Sequence, residues 1–133
     1  MATKRRGQQR STKILIIDDE ALLRTMMCDA LEAAGHKVVM AASGDEGLKL
    51  AKLERPDCIL LDVMMPGMDG YETCLALKAD PELVPIPVLM TSATSDLRVI
   101  DQAERVGALS VLPKPIPAEQ LQHAVALALI FPA

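Results

Sequence analysis

The sequence predicts an α/β fold, a doubly wound parallel sheet of five strands with helices on both faces. Five short apolar runs, Ile14 to Ile17, Val38 to Ala41, Cys58 to Leu61, Val88 to Met90 and Val111 to Leu112, alternate with stretches of helical periodicity. The first, third and fourth runs are nearly continuous in Ile, Leu, Val or Met, as strands buried on both faces of a parallel sheet require. A chain of 133 residues, half of them apolar, has the size of one domain and can bury a core without disulfide or metal staples.

Each element has a local cause in the chain. Residues 1–12 carry Lys4, Arg5, Arg6 and Arg10 with no apolar core, so they are expected to form a basic, disordered tail and no signal peptide. The domain is expected over 13–130, with 131–133 as its C-terminal end. The first helix is expected over about Glu20 to Ala34, with Leu22, Leu23, Met26, Met27, Ala30 and Leu31 as its apolar stripe and Gly35 as a left-handed terminating residue. Ser43 is a candidate N-cap for a second helix over about Gly44 to Glu54. That helix should stop before Arg55-Pro56, because the residue preceding proline is disfavoured in the helical region. Pro56 then introduces the third strand. Later helices are expected over about Tyr71 to Ala79, Ser95 to Val106 and Ala118 to Leu129, the last opened by Pro117 and striped by Leu121, Ala124, Val125 and Ala128.

Successive parallel strands need right-handed crossovers, so this five-unit repeat leads to the flavodoxin-like order 2-1-3-4-5. In that order the connections leave strands 1 and 3 in opposite directions and open a crevice beyond their carboxyl ends, where ligands bind. Polar chemistry is expected just after the first and third strands.

Composition narrows the function. Net charge is −4, and four cations lie in the leading segment, so the body of the chain is more acidic still. Such a body repels nucleic-acid backbones, and direct nucleic-acid binding is not expected of it. No apolar stretch approaches the roughly 20 residues of a membrane helix, which predicts a cytoplasmic protein with no membrane partner. Cys28, Cys58 and Cys74 are odd in number, widely spaced and set in apolar runs, as reduced packing residues would be. His36 and His123 have no neighbouring ligand at metal-binding spacing, so both are assigned structural or surface roles. A flavin carrier would share the architecture, but Tyr71 and Phe131 are the only aromatic residues available to stack a ring.

Acids stand where the crevice should be: the first strand runs into Asp18, Asp19 and Glu20, and the third into Asp62. Crowded carboxylates raise one another's pKa unless a cation neutralises them, and hard oxygen ligands with open positions suit Mg²⁺. Thr91 and Ser92 put hydroxyls at the end of strand 4, and Lys114 puts an ammonium at the end of strand 5. A hydroxyl can donate to a phosphoryl oxygen, and a lysine stabilises the negative charge of phosphoryl transfer. Each feature alone has an ordinary explanation as a helix-terminal acid, a strand-end serine or a surface lysine. Their coincidence at one switch point sets those explanations aside.

Four segments in order, Ile16-Ile17-Asp18-Asp19-Glu20, Leu61 to Glu72, Pro87 to Ala93 and Lys114-Pro115, resemble the receiver domain of bacterial response regulators. The resemblance covers about Lys13 to Leu129. It implies Asp62 as the phosphorylated aspartate, Asp19 and Asp62 as direct Mg²⁺ ligands, Asp18 as a ligand through water, and the main-chain carbonyl of Met64 as another. Ser92 fits the family's hydroxyl position better than Thr91, because Ala93 then takes the small-residue position that follows. Lys114 is implied to pair with the acceptor and later with the phosphoryl oxygen, before a cis bond to Pro115. Met64 and Thr94 occupy places that tune dephosphorylation in the family. The implied donor is the phosphohistidine of a sensor histidine kinase or histidine phosphotransfer protein, and the implied listener is a downstream protein, an output domain or a second copy paired through the helix 4, strand 5 and helix 5 face.

The sequence departs from the family at one switch position: Val111 stands three residues before the lysine, where many receivers carry an aromatic. The turn at Gly67 and Gly70 is read as sharp backbone geometry and not as a phosphate cradle, since no G-x-x-x-x-G-K-[ST] pattern is present. An aspartyl-phosphate hydrolase would carry a second acid where Met64 stands. The remaining alternative is a receiver acting as an interaction module without phosphorylation, against which the complete acid, hydroxyl and lysine set argues. Ile130 to Ala133 follow the fifth helix directly, as in a stand-alone regulator or in a receiver cut from a longer chain.

Overall fold

A computed structural model describes residues 11–94 and 96–130. The expected tail at 1–12 lies outside the described residues but for Ser11 and Thr12, and the C-terminal end at 131–133 lies wholly outside. Ten elements alternate: β1 (Lys13–Ile17), α1 (Ala21–Ala33), β2 (Lys37–Ala41), α2 (Gly44–Glu54), β3 (Cys58–Asp62), α3 (Gly70–Ala79), β4 (Val88–Ser92), α4 (Leu97–Arg105), β5 (Ser110–Pro113) and α5 (Ala118–Ile130). All strand pairs are parallel, in the order β2-β1-β3-β4-β5. This is the order the pattern predicted.

Pleating sorts the strand residues between two cores. Leu15, Ile17, Ile59, Leu61, Val88 and Met90 face α2, α3 and α4, meeting Ala51, Cys74, Leu77 and Ala103. Ile14, Ile16, Cys58, Leu60 and Leu89 face α1 and α5, meeting Met27, Leu31, Leu121 and Val125. The central strands β3 and β4 are buried along their whole length, and β1 all but its first residue, which is why their sequences do not alternate. The edge strands β2 and β5 are partly exposed and read more weakly.

Helix ends follow local chemistry. Gly35 takes φ +94 after α1, and Ser43 accepts the Glu46 N–H at the start of α2. Arg55 ends α2 in the left-handed region at φ +46, outside the right-handed helical region that the following Pro56 disfavours. Asp69 and Glu72 form a reciprocal capping box that opens α3 at Gly70, one residue earlier than the periodicity indicated. Asp96 caps α4 through the Arg98 N–H, so α4 begins at Leu97.

The apolar stripe assigned to α1 needs correction. Met27 and Leu31 are buried and Leu23 and Ala30 partly so, whereas Leu22 is 73% and Met26 57% exposed. The helix covers only one side of the sheet, and Leu22 and Met26 form a second row about 100° around its axis from the buried one.

All three cysteines are free, and burial pushes the Cys58 thiol up to about 12 and Cys74 to about 11, so both remain neutral packing groups. His36 hydrogen-bonds the Thr12 hydroxyl, and its pKa is lowered by burial against the opposing charge of Asp57. No helix among the described residues is long and apolar enough to cross a membrane.

Because the folded protein disfavours charged His36, a cost should appear as pH falls through the ordinary histidine value of about 6.5 and be complete below the lowered folded value. Urea unfolding of wild type and His36→Gln between pH 7 and 5 should show wild type losing stability relative to the variant as acid is added.

Candidate phosphoacceptor site

Ile17 and Leu61 are in register, so Asp18 and Asp62 leave adjacent strands at one level. Both are buried, Asp62 being 4% exposed and Asp18 fully enclosed, while Asp19 is turned outward. One carboxylate oxygen from each of Asp18, Asp19 and Asp62 lies within 4.8 Å of the others. The two segments named from sequence therefore do meet.

Lys114 closes the cluster from the end of β5. Its Nζ lies 3.1 Å from Asp18 Oδ2, 3.0 Å from Asp62 Oδ1 and 3.6 Å from Glu20 Oε1. Its own N–H is fixed to the Ser92 carbonyl at 2.7 Å, and the bond to Pro115 is cis. Asp18 is held on every side. Its N–H donates to the Ala41 carbonyl, its Oδ1 accepts the Glu20 N–H at 2.9 Å, and its carbonyl accepts from the Arg24 guanidinium at 2.6 Å. Nothing in the local pattern singles out Arg24, whose position one turn into α1 brings it back over the end of β1.

Charge in the site is unbalanced. Burial raises the Asp62 pKa, and the Asp18 charge adds to it, against the Lys114 bond and charge and the Met64 N–H. For Lys114 burial is the largest single influence and lowers its pKa, yet the bonds and charges of Asp62 and Asp18 together outweigh it and leave the value raised. The two shifts agree physically: Lys114 gains from two carboxylates more than burial takes away, while for Asp62 burial and the nearby Asp18 charge outweigh what Lys114 returns. The donor set is all hard oxygen, with Asp19 open to solvent, which fits a Mg²⁺ ion and would not suit a softer metal.

Of the other candidates, Met64 gives its N–H to Asp62 and extends its thioether into solvent. Ser92 is fully buried, and its Oγ accepts the Thr94 N–H at 3.1 Å and does not bond the acids. Thr91 and Ser92 lie on opposite faces of β4 by strand alternation. Gly67 takes φ +75, the turn geometry expected of it. Gly70 serves a different purpose, because a Cβ there would stand 2.2 Å from the Asp62 carbonyl oxygen and 2.8 Å from Val63 Cα. Only a missing side chain lets the start of α3 pack directly on the backbone that presents Asp62.

Known proteins share this arrangement. Residues 14–126 match the response regulator receiver domain, and the chain belongs to that family. It is 41% identical over 108 residues to the transcriptional regulatory protein AfsQ1 of Streptomyces coelicolor, covering 81% of this chain and 47% of that protein. It is 34% identical over 113 residues to sporulation initiation phosphotransferase F of Bacillus subtilis, covering 85% of this chain and 90% of that one. The chain thus spans about half the length of AfsQ1 and nearly all of the shorter relative. Among solved structures it resembles the chemotaxis protein CheY4 of Vibrio cholerae, with a TM-score of 0.86 and 32% identity over 90% of this chain and 99% of that one. Receiver domains are signalling modules that bind Mg²⁺ at an acidic pocket of this kind.

Two substitutions test the geometry. Lys114→Ala strands two buried carboxylates and should cost about 3 kcal/mol in urea unfolding at neutral pH. That loss should shrink as pH falls through the carboxylate range, since protonation removes the penalty. Gly70→Ala should cost at least about 2 kcal/mol by the same measurement, because backbone and not a flexible side chain must move.

Proposed function

We propose that the domain accepts a phosphoryl group on Asp62 from the phosphohistidine of a sensor histidine kinase or histidine phosphotransfer protein, and passes the change to a downstream protein or output domain. The observation that carries this reading is the Lys114 ammonium 3.0 Å from Asp62 Oδ1 inside a cluster with too few cations. Support comes also from the relatives, which include a phosphotransferase and transcriptional regulators. The donor, and three free thiols, fit a cytoplasmic setting. We read 13–130 as the receiver domain and 1–12 as its basic tail.

Asp18, Asp19, Asp62 and the Met64 carbonyl would hold Mg²⁺, which when bound supplies the positive charge that lets an anionic phosphoryl group approach. Lys114 holds Asp62 in place and shares its charge. An Asp62 oxygen attacks phosphorus in line, a P–O bond forms as the P–N bond to the donor imidazole breaks, and the imidazole nitrogen takes the electron pair. Lys114 then faces a phosphoryl oxygen. Later attack by water returns the Asp62 carboxylate and inorganic phosphate, so the domain turns over only its own modification.

For signalling, the Ser92 hydroxyl donates its O–H to the phosphoryl group, and because its Oγ also accepts the Thr94 N–H, this movement couples Asp62 to the start of the loop before α4. The face of α4, β5 and α5 exposes Leu97, Ile100, Leu109 and Leu127, and we assign the output contact to it, with a second copy of the chain as one such partner. Val111 packs into the sheet core beside α4, so the motion is carried by the loop and α4 without an aromatic rotor. A phosphorylation-independent module is not favoured, since binding alone gives no reason to bury Asp18 and Asp62 at the cost of their hydration.

Incubation with acetyl phosphate and Mg²⁺ should add one labile phosphoryl mass to wild type, seen by intact mass spectrometry. Asp62→Ala and a metal-chelated control should gain none. Wild type that gains nothing from acetyl phosphate or from a phosphohistidine protein would leave the interaction module as the better reading.

A further inference from the structure

Thr91 Oγ1 is the one buried side-chain oxygen or nitrogen, among the described residues, without a hydrogen-bond partner, and the residue is 1% exposed. A buried hydroxyl in that state carries a desolvation cost that valine, of the same shape, would avoid. Its position makes the cost intelligible. On β4, Val88 and Met90 face the α2, α3 and α4 core and Leu89 the α1 and α5 core, so Thr91 faces α1 and α5. Its register partners are Asp62 on β3 and Leu112 on β5. Leu60 and Leu112 belong to the α1 and α5 core, which places Asp62 on that same face.

Lys114 runs along this face too, since it lines the groove between α1 and α5 with Leu23, Met27 and Leu121. To reach Asp62 from the end of β5 its side chain must cross β4, because β3 lies two strand spacings, about 10 Å, away. Thr91 is the β4 residue on that face at the level of Asp62. The unpartnered hydroxyl therefore sits beside the acceptor and beneath the path of the lysine.

We propose that Thr91 is a positioning residue for phosphoryl transfer, its hydroxyl accepting a hydrogen bond from the Lys114 ammonium once Asp62 bonds to phosphorus. This rests on the reading of Asp62 as phosphoacceptor. In the resting protein the ammonium donates to Asp18 Oδ2 and Asp62 Oδ1, and the contact to Glu20 Oε1 is long at 3.6 Å. As Asp62 becomes an acyl phosphate its carboxylate charge is lost and its oxygens become poorer acceptors. The ammonium turns toward the phosphoryl oxygen, and the Thr91 hydroxyl supplies an acceptor on the side that Asp62 has vacated. The interaction exists only along the reaction, so it lowers the barrier without stabilising the resting site.

The test uses the full chain with Thr91→Val and Thr91→Ser. Two quantities are read: urea unfolding of the unphosphorylated protein, and the rate of phosphate gain from acetyl phosphate at saturating Mg²⁺. Thr91→Val should be more stable than wild type yet gain phosphate roughly tenfold more slowly, the effect of one hydrogen bond to a charged group, and Thr91→Ser should recover the rate. Equal rates for Thr91→Val and wild type would overturn the proposal alone. A loss of stability in Thr91→Val would overturn it as well, by showing the hydroxyl already bonded at rest. Wild type that takes no phosphate would remove the acceptor reading and this inference together.

Discussion

The arrangement depends on one cation placed between buried carboxylates. Lys114 reaches from the end of β5 to Asp18 on β1 and Asp62 on β3, tying together segments distant in sequence through a single ammonium. An isolated buried carboxylate is costly, and the lysine offsets part of that cost without removing it, as the raised Asp62 pKa shows. The site is therefore stable enough to fold and still deficient in positive charge. That residual deficit suits the cluster to a divalent cation.

The scaffold around this pair restricts motion on one side and permits it on the other. Asp18 has its N–H, its carbonyl and both carboxylate oxygens committed to Ala41, Arg24, Glu20 and Lys114. Gly70 lets α3 press against the Asp62 backbone, and the Asp69–Glu72 box fixes where that helix starts. These contacts hold the acids in place. On the far side, the Ser92 side chain has a single bond, from the Thr94 N–H, and beyond it lies the nine-residue α4 with one buried residue, Ala103. The half that presents Asp62 is the more tightly held of the two.

β4 links these halves through two adjacent hydroxyls on opposite faces. By strand alternation Ser92 faces the α2, α3 and α4 side and Thr91 the α1 and α5 side. The sequence could show that both hydroxyls end the strand, and family resemblance selected Ser92. Only the pleat and the register separate their surroundings and reveal that one is bonded while the other is not.

The fold was legible in the amino-acid pattern, and so were the acids and the lysine at its strand ends. Uninterrupted apolar runs at β1, β3 and β4 meant burial on both faces, burial on both faces meant helices on both sides, and right-handed crossovers then left little choice of strand order. Acids at two strand ends followed directly from that order. Tertiary structure decided what periodicity cannot encode: which of two apolar rows on α1 faces the sheet, that Gly70 is needed for space and not for torsion, that Arg24 folds back onto Asp18, and that Thr91 lies under the path of Lys114. The physical reason is common to all four. Each depends on the distance between atoms far apart in the chain, and a local pattern fixes direction along an element but not what stands opposite it.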